Sequence, residues 1–310
     1  MDINSLPIID CHTHVYPAKI AAKASKAINA FYEDDHLDSS ESSDQIRKEF
    51  IRIMQGFIDS MHTERFAYPD IKGTIEGALV ECAGTPIKYH LIYSVATTPA
   101  QVTSINNYIA QTCEQHPSCI GFAAMHQDFE NPAAELDRVQ ALGLRGIKLH
   151  PDFQQVNIDD PRLEPLYEAA QKRNMPITIH TGDYRYDCSN PKRLVNVLKA
   201  FPGLVVDAAH MGGWSCTDQW LGDLSEKNLG KSTAKRCFVD TSSSTRVLTR
   251  AQMKAAIENY GIERVMYGSD YPMWNPAEEL KRFMALGLSD KEIDAICTRN
   301  AEVYLQMTFH

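Results

Sequence analysis

Two histidines one residue apart, His12 and His14, close the apolar run IIDCHTH (residues 8–14). Strand side chains alternate with period two, so both imidazoles leave on one face and can bind the same cation. His-x-His alone is a weak signal, met equally in ordinary core or surface histidines. Its weight comes from the rest of the chain. Lys148 and His150 end a later apolar run, His180 ends another and His210 a third, while Asp240 and Asp270 close the last two. Burying ionisable groups repeatedly at one end of successive strands is costly unless they are paired or bind a metal. His12, His14, His180, His210 and Asp270 offer imidazole and carboxylate donors, which suit Zn²⁺, with Mn²⁺, Fe²⁺, Co²⁺ or Ni²⁺ as alternatives.

The elements that must position these residues follow from the same runs. Strands are predicted at 8–11, 89–95, 119–125, 145–149, 176–180, 204–209, 237–241 and 264–268, separated by helix-compatible segments. That is the rhythm of βα units and a parallel sheet. Several helices open on a polar residue followed by proline: Thr98-Pro99, Asn131-Pro132, Asp160-Pro161, Asn190-Pro191 and Asn275-Pro276. Proline at the first helical position gives up an N–H that has no partner there, and the preceding side chain can cap the free donors. Ser289 with Glu292 reads as a capping box opening a final helix.

Eight units in 310 residues predict a (β/α)8 TIM barrel forming a single domain over residues 1–310. The competing open doubly wound sheet lacks its glycine-rich turn after the first strand. Residues 17–70 are too long for one crossover. They predict a helical insertion between strands 1 and 2, over the barrel mouth, with Ile46, Phe50, Ile53, Met54 and Phe57 at helical spacing. In such a barrel the chemistry lies at the carboxyl ends of the strands, where His12, His14, Lys148, His150, His180, His210, Asp240 and Asp270 fall.

A formal net charge of −9 argues against nucleic acid as a partner, and no apolar run approaches the roughly 18 residues of a membrane span. The N-terminus lacks the features of a signal peptide, and the eight cysteines contain no C-x-x-C, so a reducing, cytoplasmic location is expected.

Taken together and in order, DCHTH, GIKLHP, ITIHTG, AHMGG, MYGSDYP and NAEVYL resemble the amidohydrolase superfamily. The likeness is greatest to the amidohydrolase-related branch that includes metal-dependent decarboxylases of the aminocarboxymuconate-semialdehyde type, and it runs from residue 8 to about residue 305. The resemblance implies a distorted TIM barrel with one divalent metal per chain, held by His12, His14, His180 and Asp270. His210 corresponds either to a ligand of a second metal or to a residue beside the bound water. The metal would lower that water's pKa towards neutrality. Asp270 would take the proton and pass it to the leaving group, and His210 would orient the water or donate to developing negative charge. In two-metal members a carbamylated lysine bridges the ions. Lys148 stands where that residue would be, but is read here as an interior lysine paired with Asp270 or Asp240, or as a substrate contact. His150 is read as making a structural hydrogen bond.

Four further residues are candidates for substrate binding. Arg185 and Arg246 follow the fifth and seventh strands, where a guanidinium reaching the rim suits a carboxylate. Trp214 and Trp274 follow the sixth and eighth and could wall a pocket for a planar molecule. The plainer alternatives are surface arginines and loop packing. Asp10 either supports a ligand or serves a turn. The expected activity is metal-dependent hydrolysis of a small, carboxylated amide, lactone or ester. The alternative is non-oxidative decarboxylation, or hydration, of an unsaturated or aromatic acid at the same site. A metal-stabilised barrel without chemistry is the reading from another class; it calls for a site closed by four protein ligands. A homodimer is common in the resembling family.

Overall fold

Each predicted apolar run forms a strand: β1 (Ile8–His14), β2 (Ile87–Tyr93), β3 (Cys119–Ala124), β4 (Gly146–Leu149), β5 (Ile177–Ile179), β6 (Val206–Ala208), β7 (Cys237–Asp240) and β8 (Val265–Met266). This computed structural model describes residues 6–33, 45–183, 185–213 and 222–309, with side chains outside the description at 45–50. The strands are parallel and pair in chain order from β1 to β8. The segment after β8 returns to β1: Cys11 N–H donates to Tyr267 O at 2.9 Å, and His14 N–H to Tyr271 O at 2.7 Å. The fold is a (β/α)8 barrel.

The strand faces divide the core. Ile9, Leu91, Phe122, Phe238 and Met266 pack together inside, where the C-terminal Tyr304, Leu305 and Phe309 join them. Ile8, Ile92, Ile147, Ile177, Val206 and Val265 belong to the other layer, under the helices. Pairing between β1 and β2 shifts register between Asp10 and Thr13. That bulge matters for the site, because strict alternation would put His12 on the opposite face from Ile9. His12 instead stands beside Tyr93 of the inner cluster, with ring centroids 5.3 Å apart.

β1 is longer than predicted and carries both histidines on the strand itself. From β3 onwards the strands are shorter than predicted, so His180 and Asp270 lie in the loops beyond β5 and β8, and His210 opens a short helical turn after β6. His210 and Asp270 take left-handed backbone angles, φ 60° and 64°. Such angles are uncommon for non-glycine residues and are held by surrounding structure.

The capping device appears at four of the five predicted starts: Asn131, Asp160, Asn190 and Asn275 each accept a backbone N–H from the first helical turn, ahead of a proline. His150 does the same before Pro151, accepting from Phe153 N–H at 3.4 Å. Ser289 and Glu292 form their capping box, but the helix it opens is broken by a π turn at Ala295–Arg299. There the Ile296 carbonyl accepts Tyr267 N–H at 3.0 Å, tying the turn to the end of β8.

Among its described residues, the insertion between β1 and β2 includes the helices α1 (Ala18–Glu33) and α2 (Gln45–Thr63). Of the residues expected on its apolar face, Met54 and Phe57 are buried and Ile53 is half-buried, while the Ile46 and Phe50 side chains lie outside the described residues. Met54, Phe57 and Met61 of α2 pack with Tyr32 of α1 and with Trp274 from the loop after β8. No helix among the described residues is long and apolar enough to cross a membrane.

Candidate active site

His12 is fixed first. Its Nδ1 lies 2.7 Å from Asp240 Oδ2, both side chains fully buried. A carboxylate on Nδ1 holds the proton there and turns the Nε2 lone pair into the barrel. Burial works against the Asp240 charge, but the attraction of the His12 ring and the hydrogen bond from it outweigh burial, and a hydrogen bond from Ser242 adds to the effect. The Asp240 carboxyl therefore stays well below the ordinary carboxylate range. Asp10 supports the backbone rather than a ring: its Oδ1 accepts the N–H of His12 at 3.1 Å and of Ser269 at 2.8 Å, tying β1 to the loop after β8.

Three donor atoms then converge. His12 Nε2 lies 3.3 Å from His14 Nε2 and 3.5 Å from Asp270 Oδ1, and His14 Nε2 lies 3.9 Å from Asp270 Oδ1. Ligands about 2.0–2.2 Å from one ion stand about 3.0–3.5 Å apart, so the two His12 separations match a shared divalent cation and the His14–Asp270 one is wider. One proton can bridge only one of the three contacts, whereas one cation satisfies all of them. Burial holds the His14 pKa well below 6.5, which keeps the ring in the neutral form that binds metal.

Lys148 points at the same place. Its Nζ is 3.3 Å from His12 Nε2 and 4.5 Å from the centre of the Tyr93 ring. Among the described residues no carboxylate oxygen lies within ion-pair distance of it, so the direct pairing with Asp270 or Asp240 expected from sequence does not form. Burial lowers its pKa to about 8 against the more distant charges of Asp240, Asp270 and Asp207.

His180 stands apart from the trio. Its Nδ1 is 2.9 Å from His210 Nε2, its ring stacks on His150 at 4.0 Å, and Asp152 Oδ2 lies 3.4 Å from its Nε2. His150, Asp152 and His180 form a second cluster with metal-ligand spacing, and His12, His210 and Asp240 a third. The resemblance grouped His180 with His12, His14 and Asp270; the structure links it to them through the His210 ring. His210 Nδ1 lies 3.1 Å from the Ser242 carbonyl and 3.8 Å from Asp270 Oδ2. Burial lowers its pKa to about 4, so the ring is neutral at pH 7. Burial, helped by the charge of Asp183, raises the Asp152 carboxyl to about 8.

Residues 9–305 match the family model described as amidohydrolase. The chain belongs to the amidohydrolase family. Solved structures share the fold at low identity. The 5-carboxyvanillate decarboxylase of Sphingomonas paucimobilis is 19% identical, with a TM-score of 0.68, covering 98% of this chain and 100% of that one. A dihydroxybenzoic acid decarboxylase of a Polaromonas species, with bound manganese and the inhibitor 2-nitroresorcinol, is 14% identical, with a TM-score of 0.67 and 97% of each chain covered. A Pseudomonas putida protein described as a 2-pyrone-4,6-dicarboxylic acid hydrolase is 18% identical, with a TM-score of 0.65, covering 98% of this chain and 99% of that one.

In this amidohydrolase His14 and Asp270 open onto a pocket that His150, His180 and His210 also line. Its walls are Tyr16, Ile28, Tyr32, Phe153, Pro272 and Met273. Ile28 and Tyr32 come from α1, so the insertion closes one side of the amidohydrolase mouth. Three of the residues expected to touch substrate are placed elsewhere. Arg185 grips Asp183 with two nitrogens, at 3.0 and 2.7 Å, and donates to the Phe31 carbonyl at 2.9 Å. Arg246 pairs with Glu64 at 2.9 Å and Glu279 at 2.5 Å. Trp274 is fully buried beneath Arg246, whose guanidinium sits 4.3 Å from its ring. Trp214 lies outside the described residues. Sequence reading missed Tyr16, Tyr32 and Phe153 as pocket walls and Asp152 beside His180. Asp152 left one legible sign, a carboxylate two residues beyond His150; the aromatic walls left none.

Proposed function

We propose that this amidohydrolase is a metal-dependent decarboxylase of small aromatic carboxylic acids, with one divalent ion, Zn²⁺ or Mn²⁺, per chain. The observation that carries this reading is the pocket lining, in which Tyr16, Tyr32 and Phe153 stand with the metal-binding donors His14 and Asp270. Rings pack well against such walls. The likeness to decarboxylases acting on 5-carboxyvanillate and dihydroxybenzoic acid supports it. Hydrolysis, the first expectation from sequence, is the second reading, favoured by the likeness to the pyrone dicarboxylate hydrolase.

The ion, when bound, supplies a Lewis acid for a substrate oxygen. His12 and His14 hold it, with Asp270 completing the set, and Asp240 keeps His12 in the ligating tautomer. Tyr16, Tyr32 and Phe153 orient the ring and exclude water. Asp270, which faces the pocket, takes up a proton from solvent and delivers it to the carbon that loses CO₂ as the bond to the carboxyl carbon breaks. His210, with Nδ1 on the Ser242 carbonyl, presents Nε2 towards His180 and aligns that side of the pocket.

The test is incubation of Mn²⁺-loaded protein with 2,6-dihydroxybenzoate and 5-carboxyvanillate, following CO₂ and ring absorbance. Stoichiometric CO₂ without net water uptake, abolished by a chelator and restored by Mn²⁺, is the expected result. Ring opening of 2-pyrone-4,6-dicarboxylate with no CO₂ from either aromatic acid would replace the decarboxylase reading with the hydrolase one.

A further inference from the structure

Trp274 and Ser243 form a directed chain that ends on the Asp270 carboxylate. Trp274 Nε1–H donates to Ser243 Oγ at 2.8 Å, and Ser243 Oγ–H donates to Asp270 Oδ2 at 2.5 Å. An indole N–H can only donate, so it fills an acceptor position of the serine hydroxyl. The single hydroxyl proton is then directed to Asp270. With Oδ2 held by the serine, Oδ1 is the oxygen turned towards His12 and His14. Ser243 and Asp270 both hold left-handed backbone angles, φ 56° and 64°, which their surroundings must maintain.

We propose that Ser243 and Trp274 are positioning residues that aim Asp270 at the metal and connect it to the inserted helices. The connection runs through packing that leaves Trp274 no freedom. Its ring meets the edge of Phe57 from α2 at 5.0 Å and lies under the Arg246 guanidinium at 4.3 Å. Glu64, next to the end of α2, holds Arg246 from one side and Glu279 holds it from another. The insertion that walls the pocket through α1 therefore also sets, through α2, the orientation of the carboxylate beneath it. This assignment rests on Asp270 being a metal ligand, as in the proposed function.

The test is a double-mutant cycle on the full chain, with Ser243→Ala, Trp274→Phe and the double variant. Mn²⁺ affinity is measured by titration calorimetry, the visible absorption of the Co²⁺-loaded protein is recorded, and melting temperatures are compared. Ser243→Ala is expected to weaken Mn²⁺ binding about tenfold or more. Trp274→Phe keeps most of the ring packing, and should weaken binding by less while shifting the Co²⁺ bands in the same sense. The double variant should bind no worse than Ser243→Ala, because Trp274 acts on Asp270 only through the serine. Wild-type affinity in both single variants, or losses that add in the double variant, would overturn the proposal. So would a Trp274→Phe protein that melts earlier yet binds Mn²⁺ and absorbs as wild type, since that is packing alone. If Trp274→Phe does not fold, Ser243→Ala decides by itself. Absence of Mn²⁺ binding in the wild type would remove both this proposal and the metal-dependent reading. Mn²⁺ binding that follows the cycle, without CO₂ release from any acid, would leave the positioning role standing and remove only the decarboxylase.

Discussion

At the scale of residues, the site is a set of donors made usable by their neighbours. His12 is directed by Asp240, and His14 is kept neutral by burial. Asp270 retains 13% side-chain exposure where His12 has none, so of these two it is the one able to exchange a proton with a molecule in the pocket. Asp270→Asn keeps the shape and removes the ionisable group. It should leave the fold intact and lower kcat by about 10²–10⁴-fold, the usual contribution of a positioned proton donor. Steady-state CO₂ release beside circular dichroism checks this; turnover within a few-fold of wild type would remove Asp270 from proton transfer.

At the scale of elements, one glycine shows how closely β1 and the end of β8 are fitted. A Cβ on Gly268 would stand 2.8 Å from His12 Cβ and 3.3 Å from Ser242 Cβ. Neither contact is the far end of a flexible side chain, so the clash must move β1 or the loop after β7. Gly268→Ala should cost about 1–3 kcal/mol of stability, as overpacking in a filled core does. Because His12 is the group displaced, it should also leave the protein with less bound metal after dialysis. Elemental analysis and a melting curve read the two effects separately, and unchanged metal retention would show that His12 tolerates the shift. The helical insertion belongs to this scale too. Its existence was legible from an overlong crossover, and its apolar spacing was legible at Met54 and Phe57. That α1 would deliver Tyr32 to the pocket was not, because helical periodicity marks a buried face without saying what it is buried against.

At the scale of the molecule, stability depends on histidines that fold in the neutral state. His90 in β2 is the clearest case away from the site: fully buried, with its pKa lowered from 6.5 to about 4 by burial alone. The folded pKa is depressed, so below pH 6.5 the unfolded chain binds a proton that the folded chain refuses. The contribution is present above pH 6.5 and is lost as pH falls towards 4, amounting to about 3 kcal/mol over that window. His90→Leu removes this dependence. Between pH 7 and pH 4.5 the wild type should lose about 2–3 kcal/mol more unfolding free energy than the variant, measured by urea denaturation. Parallel losses in the two proteins would mean that His90 is protonated in the fold without penalty.

The sequence by itself determined the barrel, since eight apolar runs alternating with capped helices leave few other ways to bury every face. It also marked the barrel's chemical end, because His12, His14, His150, His180, His210 and Asp270 recur at the same place in successive units. The tertiary structure alone decided the partnerships. Lys148 faces His12 instead of a carboxylate, His180 meets His210 and Asp152, and Arg185, Arg246 and Trp274 hold the insertion in place. Those outcomes depend on a bulge in β1, on strands that end early and on backbone angles at His210, Ser243 and Asp270. Local pattern records which residues must be buried or capped; contacts between residues more than two hundred positions apart, such as His12 with Asp240, are set only when the barrel closes.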